Sequence, residues 1–258
     1  MSDPATAAIR VQVDGAVGRM ILARPERLNA LDRATLEDIA LTAEWFDGRP
    51  DVKVVIVTGQ GATFSSGFDL TDESWGELES FERSAVIGRR MVETVGAMRA
   101  VTIAAIRGHC VGGGVVLAAA CDLRLAASSA RFRIPEVELG VPLLWTGIPR
   151  LVRELGPSVT KELVMSGRSF DAQEAHALRF LNRSVPDDQL DHAVDTLAEE
   201  LASKPGFVHR MTKQQVEQSA PAVPASDGGA STDMEVFAAA LTDSECQAAA
   251  ARYQRRFL

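Results

Sequence analysis

Gly108-His109-Cys110-Val111-Gly112-Gly113-Gly114, running into Val115-Val116-Leu117-Ala118-Ala119-Ala120, decides the fold of this chain. The apolar run Val101 to Ile106 before it reads as a buried strand, and the stretch from Val115 to Ala120 reads as a helix. About forty residues upstream a second glycine turn, Ser65-Ser66-Gly67-Phe68-Asp69-Leu70, follows another apolar run, Val54 to Thr58. A strand that ends in a tight glycine turn and opens a helix aims backbone N–H groups at one point. Two such turns can converge on one oxygen. That is the geometry of an oxyanion hole, suited to a carbonyl that becomes an enolate or a tetrahedral intermediate.

Outward from these turns, strands alternate with helices. Ile9 to Val13 and Val17 to Leu22 flank Asp14-Gly15, a hairpin signal. Asp32 is placed to N-cap a helix over 34–46, whose Leu36, Ile39, Ala40 and Ala43 recur at helical spacing. Residues 71–84 are polar and acidic and are expected to be mobile, with Asp69 capping a helix after the first turn. A helix is predicted over 86–98, and short strands over 122–126 and 131–134. From Gly147 the pattern is mainly helical: 148–155, 158–166, 172–179, 189–203, 207–217, 234–241 and 244–257. Residues 219–233, rich in Ala, Pro, Ser and Gly, read as a flexible segment. The strand, strand, helix order suggests a spiral of stacked turns. The last helices cannot bury their apolar faces alone, so they must pack on the core or on another subunit.

Composition sets limits. A chain of 258 residues with 46% hydrophobic residues suits one large α/β domain, or a core with a helical appendage. Its net charge of −8 and its 5% aromatic content argue against nucleic-acid binding. No apolar run reaches the roughly 18 residues of a membrane span, and residues 1–8 show no signal-peptide pattern. The three cysteines, Cys110, Cys121 and Cys246, have no CxxC spacing. That usage fits a reducing cytoplasm, with Cys110 read as a buried core residue. No metal-ligand spacing is present, and neither turn carries the G-x-G-x-x-G of a dinucleotide site.

The motifs together resemble the crotonase superfamily, the enoyl-CoA hydratase/isomerase family. Arg24 to Leu31 is similar to its R-P-E-x-x-N-A-L loop, and Gly59 to Leu70 to its G-x-G-x-x-F-S-x-G-x-D-L turn. Gly108 to Gly114 with Cys121-Asp122-Leu123-Arg124 resembles its triple-glycine block, Phe132 to Gly140 its F-x-x-P-E-x-x-L-G, and Ser166 to Ala175 its S-G-R…A-x-E-A segment. The resemblance spans nearly the whole chain. It implies an α/β fold with a ββα-spiral core over 1–200 that binds acyl-CoA. It also implies a C-terminal helical region over 201–258 for core packing and trimerisation, as a homotrimer or a dimer of trimers.

The resemblance further implies an acyl-CoA thioester as substrate, with coenzyme A part of that substrate and no separate cofactor. The oxyanion hole maps to the N–H groups of Phe68 and Gly113, and the CoA side to Arg27, Leu28, Ala30, Ser66 and Leu70. Glu136 falls at the acid/base position. Its neighbours Ile134, Val137, Leu143, Leu144 and Trp145 are apolar, so desolvation should raise its pKa toward a useful range. Glu138, the rival acid, would face the other side of an extended segment. Trp145 either shapes the acyl pocket or fills core. His109 reads as a structural histidine, Asp122 as a structural hydrogen-bond partner, and Arg252, Arg255 and Arg256 as a solvated helix end or a grip on CoA phosphates.

One departure from the family pattern matters most. Hydratases of the family use two glutamates, and the second would stand at position 116, where this chain has Val116; position 144 carries Leu144. A lone base can take a proton from C2 and return it to C4. The expectation is therefore Δ3,Δ2-enoyl-CoA isomerisation rather than hydration. The alternatives are a hydratase of low or altered activity and a non-catalytic acyl-CoA-binding protein. A serine hydrolase on the same spiral would need a histidine partner for Ser65 or Ser66, and none is evident.

Overall fold

The structure, a computed structural model, describes residues 4, 6–71, 78–219 and 226–257. Its hub is a six-stranded sheet. The strands are β1 (Ile9–Asp14), β2 (Val17–Leu22), β3 (Val54–Gly59), β4 (Val101–Ile106), β6 (Leu123–Ala127) and β9 (Arg183–Val185), in that spatial order. Within this sheet only β1 and β2 pair antiparallel, across the Asp14-Gly15 turn, where Gly15 takes φ 54°. Every other neighbour is parallel. A second sheet joins β5 (His109–Val111), β7 (Arg131–Arg133) and β8 (Ser169–Asp171). Two isolated parallel bridges, Ser65 to Cys110 and Leu31 to Phe68, carry the same stacking through the first glycine turn. Successive turns of the chain thus lay one strand on the hub and one short segment beside it, as the spiral expectation required.

The apolar runs of β3 and β4 are buried on both faces, as parallel strands with covered faces must be. Alternation splits them between two cores. Val55, Val57, Ala104 and Ile106 join the main core, which also holds α1 (Arg33–Asp47) and α3 (Gly113–Ala120). Val54, Ile56, Ile103 and Ala105 face α8 (Leu190–Ala202) through Leu190, Val194 and Leu197. Asp32 caps α1 by accepting from Thr35 N at 2.8 Å.

The remaining helices are α2 (Leu78–Ala97), α4 (Glu136–Leu139), α5 (Gly147–Leu155), α6 (Pro157–Ser166), α7 (Ala172–Ala177), α9 (Gly206–Ser219), α10 (Ser226–Thr242) and α11 (Ser244–Phe257). α10 packs on α2 and α11 on α4, so these last helices cover their own core.

Several local expectations change. The helix expected over 86–98 begins about two turns earlier, so its first part occupies residues expected to be mobile; 72–77 lie outside the described residues. Half of the 219–233 segment is likewise helix α10, with 220–225 outside the description. Asp69 caps no described helix. It is buried, accepts from Thr71 N and Oγ1 at 3.0 and 2.7 Å, and meets Arg24 at 3.4 Å. With two arginines at hand, its carboxylate is occupied by charge rather than by a helix terminus. Glu136 to Glu138 is a helical turn rather than an extended segment, because Pro135 opens α4 and Gly140 closes it at φ 70°. His109 is exposed on β5.

Candidate active site

The two glycine turns are sewn together by their backbones. Ser65 N donates to His109 O at 3.1 Å, and Val111 N donates to Ser65 O at 3.0 Å. On the other side of the first turn, Leu31 N donates to Gly67 O at 2.8 Å and Asp69 N donates to Leu31 O at 3.2 Å. A trans peptide sets its N–H opposite its C=O, so with Gly67 O turned to Leu31 the N–H of Phe68 faces away from Leu31. Gly67, at φ 88°, lets the two turns approach: a Cβ there would lie 2.6 Å from Val111 O and 3.4 Å from Gly113 N. Gly113 is the first residue of α3, so its N–H has no carbonyl to bond within the helix. Phe68 and Gly113 line one cavity.

Glu136 lines that same cavity. Gly112, at φ 49°, brings the second turn against it; a Cβ there would lie 2.5 Å from Glu136 Oε1. The residue as a whole is half-buried, while its Oε2 is fully enclosed and has no hydrogen-bond partner. Burial pushes its pKa up to about 7, against a smaller opposing effect of a backbone hydrogen bond. That places a proton-exchanging group near neutrality. Glu138 points elsewhere and pairs with Arg133, whose Nε donates to Gly167 O at 2.9 Å. Helical rotation and this ion pair, rather than strand alternation, separate the two acids.

Most of the rest of the wall is apolar. Val116, Leu139, Leu143, Leu144 and Trp145 all line it, and Glu136 is its one carboxylate among the described residues. Trp145 both shapes the pocket and fills core. Its ring presses on α2 and α3 so closely that a Cβ at Gly88 would lie 2.2 Å from it, and one at Gly113 2.3 Å. It meets the Phe68 ring edge-on, centroids 6.3 Å apart. The cavity is narrow as a result, about 90 Å³ against the ~300–1,000 Å³ of common ligand pockets.

Trp145 and Thr146 hold φ of 61° and 55°, a left-handed pair that is costly for a β-branched residue. Asp233 on α10 accepts from Thr146 N at 3.2 Å and pins this loop. Desolvation raises the pKa of Asp233.

Of the residues expected on the CoA side, Ser66 and Leu70 reach the cavity; Arg27, Leu28 and Ala30 do not. Their loop still braces the first turn, since Ser66 N donates to Leu28 O at 3.0 Å. Leu28 is left-handed at φ 52° and 53% exposed, Ala30 is buried, and Arg27 is half exposed beside Thr71 and Asp69. Arg252 and Arg255 are exposed, and the side chain of Arg256 lies outside the description. Cys110 is fully buried and its thiol is pushed well above its ordinary pKa by burial, consistent with a core role. Asp122 accepts from Thr102 N and Oγ1 and pairs with Lys213 at 2.7 Å, a structural network. Sequence reasoning missed Ser84 and Ala85 of α2 and Tyr253 of α11, which also line the cavity. The only available signal was that Tyr253 is the single tyrosine of the chain.

The family model for enoyl-CoA hydratase/isomerase matches residues 12–256. A Mycobacterium tuberculosis protein named "Probable enoyl-CoA hydratase echA8" is 33% identical over 82% of this chain and 81% of its own length. A crotonyl-CoA hydratase of Syntrophomonas wolfei is 34% identical over 74% of each chain. A Thermobifida fusca structure solved in complex with CoA superposes with a TM-score of 0.77 at 31% identity, covering 93% of this chain and 95% of that one. The chain belongs to the enoyl-CoA hydratase/isomerase family, within the crotonase superfamily, and is an acyl-CoA enzyme of that family. No helix among the described residues is long and apolar enough to cross a membrane.

Proposed function

We propose that this enzyme moves a proton between C2 and C4 of an enoyl-CoA thioester, as a Δ3,Δ2-enoyl-CoA isomerase. The single observation that carries this reading is one enclosed carboxyl, Glu136, in a cavity that is otherwise free of acids among the described residues. In this reading the thioester oxygen sits between the amides of Phe68 and Gly113. Glu136 removes a C2 proton as charge collects on that oxygen. The resulting dienolate is neutralised when the same carboxyl returns the proton at C4. Losing one amide donor of this kind typically costs about 2.7–4 kcal/mol of barrier.

Hydration needs a water held and polarised between two groups, and Val116, fully buried in α3, supplies neither charge nor hydrogen bond. CoA enters from the side of Ser66 and Leu70 in this account, with the Arg27 to Ala30 loop behind them. The CoA-bound Thermobifida fusca relative supports acyl-CoA as the ligand. Assembly as a homotrimer or dimer of trimers, work in the cytoplasm and the absence of a separate cofactor belong to the same proposal.

Turnover of 3-enoyl-CoA and 2-enoyl-CoA substrates tests it. Glu136→Gln should lower isomerisation by about 10²–10⁴-fold, the usual worth of a positioned acid/base group, while acyl-CoA still binds. Val116→Glu should raise hydration above wild type; flat hydration in a folded variant would remove position 116 as the reason. A wild-type enzyme that hydrates 2-enoyl-CoA faster than it isomerises 3-enoyl-CoA would overturn the isomerase reading.

A further inference from the structure

Trp145 is the largest side chain on the cavity wall, and two helices are shaped to receive its ring. The pyrrole edge lies over Gly88 of α2, where a Cβ would sit 2.2 Å from Nε1. The benzene edge lies over Gly113 of α3, where a Cβ would sit 2.3 Å from Cζ3. Gly88 falls in the middle of α2, a place where glycine weakens a helix. What it supplies there is a seat for the indole. Gly113 carries one of the two amides proposed to hold the thioester oxygen, and Phe68, which carries the other, meets the indole edge-on. The ring thus bounds the space next to the proposed thioester position. It is also held in place. Thr146 N donates to Asp233 at 3.2 Å, Thr146 Oγ1 donates to Trp145 O at 2.6 Å, and the buried Arg150 donates through Nε to Thr146 Oγ1 at 3.4 Å. A ring seated between two glycines, on a loop tied from three sides, does not swing aside cheaply.

We propose that Trp145 limits the length of the acyl group, so that this enzyme takes short-chain acyl-CoA thioesters and turns long ones away. This rests on the acyl-CoA reading above and holds for isomerisation and hydration alike. The cavity, about 90 Å³, is about three times the ~30 Å³ that a water occupies in the liquid. That is room for a few carbons beyond the thioester. Val116, Leu143 and Leu144, which share the wall, belong to the main core. A close-packed interior resists inserted methylenes, so each further carbon must force these side chains apart. Truncating the indole acts the other way. It leaves a void that the surroundings fill only in part, and a longer chain can occupy it.

Calorimetric titration with butanoyl-CoA and decanoyl-CoA, saturated thioesters that bind without turnover, tests the proposal. Wild type should bind butanoyl-CoA tenfold or more tightly than decanoyl-CoA. Trp145→Leu should bring the two within twofold, chiefly by gaining affinity for decanoyl-CoA, and Trp145→Phe, the milder change, should fall between. A folded Trp145→Leu variant that keeps the tenfold preference overturns the proposal. If Trp145→Leu does not fold, Trp145→Phe decides: an unchanged ratio overturns the proposal and a reduced one supports it. Wild type that binds both thioesters equally, or decanoyl-CoA more tightly, overturns the role of Trp145 alone. Binding of neither by wild type would overturn the acyl-CoA reading itself.

Discussion

The cavity at Glu136 and the groove between α2, α5 and α9 teach opposite lessons about charge. The first is about 90 Å³ and holds one carboxyl with an oxygen that bonds to nothing. The second is about 770 Å³ and holds many charges, most of them matched: Asp122 with Lys213, Arg153 with Glu217, and Glu154 with the buried Arg124. Lys213 also donates to Met98 O and Ala100 O at 2.7 and 2.9 Å, which ties α9 to the end of α2. Volume does not mark the place proposed for the reaction. A charge that is desolvated and left unmatched is ready for chemistry, and one that is matched is spent on structure.

The largest break in this contrast should come from Gly113→Ala. The added methyl has no room against the Trp145 ring, and the shift it forces moves the amide proposed to hold the thioester oxygen. Isomerisation should fall by about 10²–10³-fold, and the melting temperature should show a cost of about 1–3 kcal/mol from overpacking. Steady-state kinetics alongside thermal unfolding would check both.

Next comes the pH dependence of stability. The folded pKa of Glu136, about 7, lies above its ordinary value of 4.5. The native state therefore binds more protons between these values, and stability falls as pH rises through that window. The burial of the neutral acid is fully in place below pH 4.5, and its advantage is gone above 7. Glu136→Gln removes that slope, and at pH 8 it should be more stable than wild type by up to about 3 kcal/mol. Denaturant unfolding at pH 5 and pH 8 would read the difference; a wild type with equal midpoints and no gain in the variant would contradict it.

In the groove, removing a charge breaks a matched pair. Asp122→Asn should destabilise by about 1–3 kcal/mol, since it weakens bonds to Thr102 and leaves Lys213 without its counter-charge. kcat should not change. The smallest effect belongs to Glu217→Ala, at the exposed end of its pair with Arg153, where a loss of under about 1 kcal/mol is expected. Urea midpoints for the two variants, compared at low and high salt, would rank them.

Read along the chain, the spiral core was legible because its determinants are local. Apolar runs bounded by glycines set β3 and β4, Asp14-Gly15 set the hairpin, and Asp32 set the start of α1. Glu136 was found through the resemblance of Phe132 to Gly140 to a family motif, not through the turn that Pro135 opens and Gly140 closes. The separation of Glu136 from Glu138 was reached by the wrong route, since the segment is helical and Arg133 holds Glu138 away. The start of α2 was hidden by the polar composition of its first turns, whereas the helix as a whole packs on α1.

The sequence by itself determined the alternation of strand and helix, the two glycine turns, and the lone acid among apolar neighbours. Each of these follows from backbone freedom or side-chain polarity within a few residues. Only the tertiary structure decided that Trp145 narrows the cavity, that Asp233 pins its strained loop from 87 residues away, and that Tyr253 reaches the same cavity. These are contacts between surfaces distant in sequence, and no local pattern specifies which helix face meets which wall.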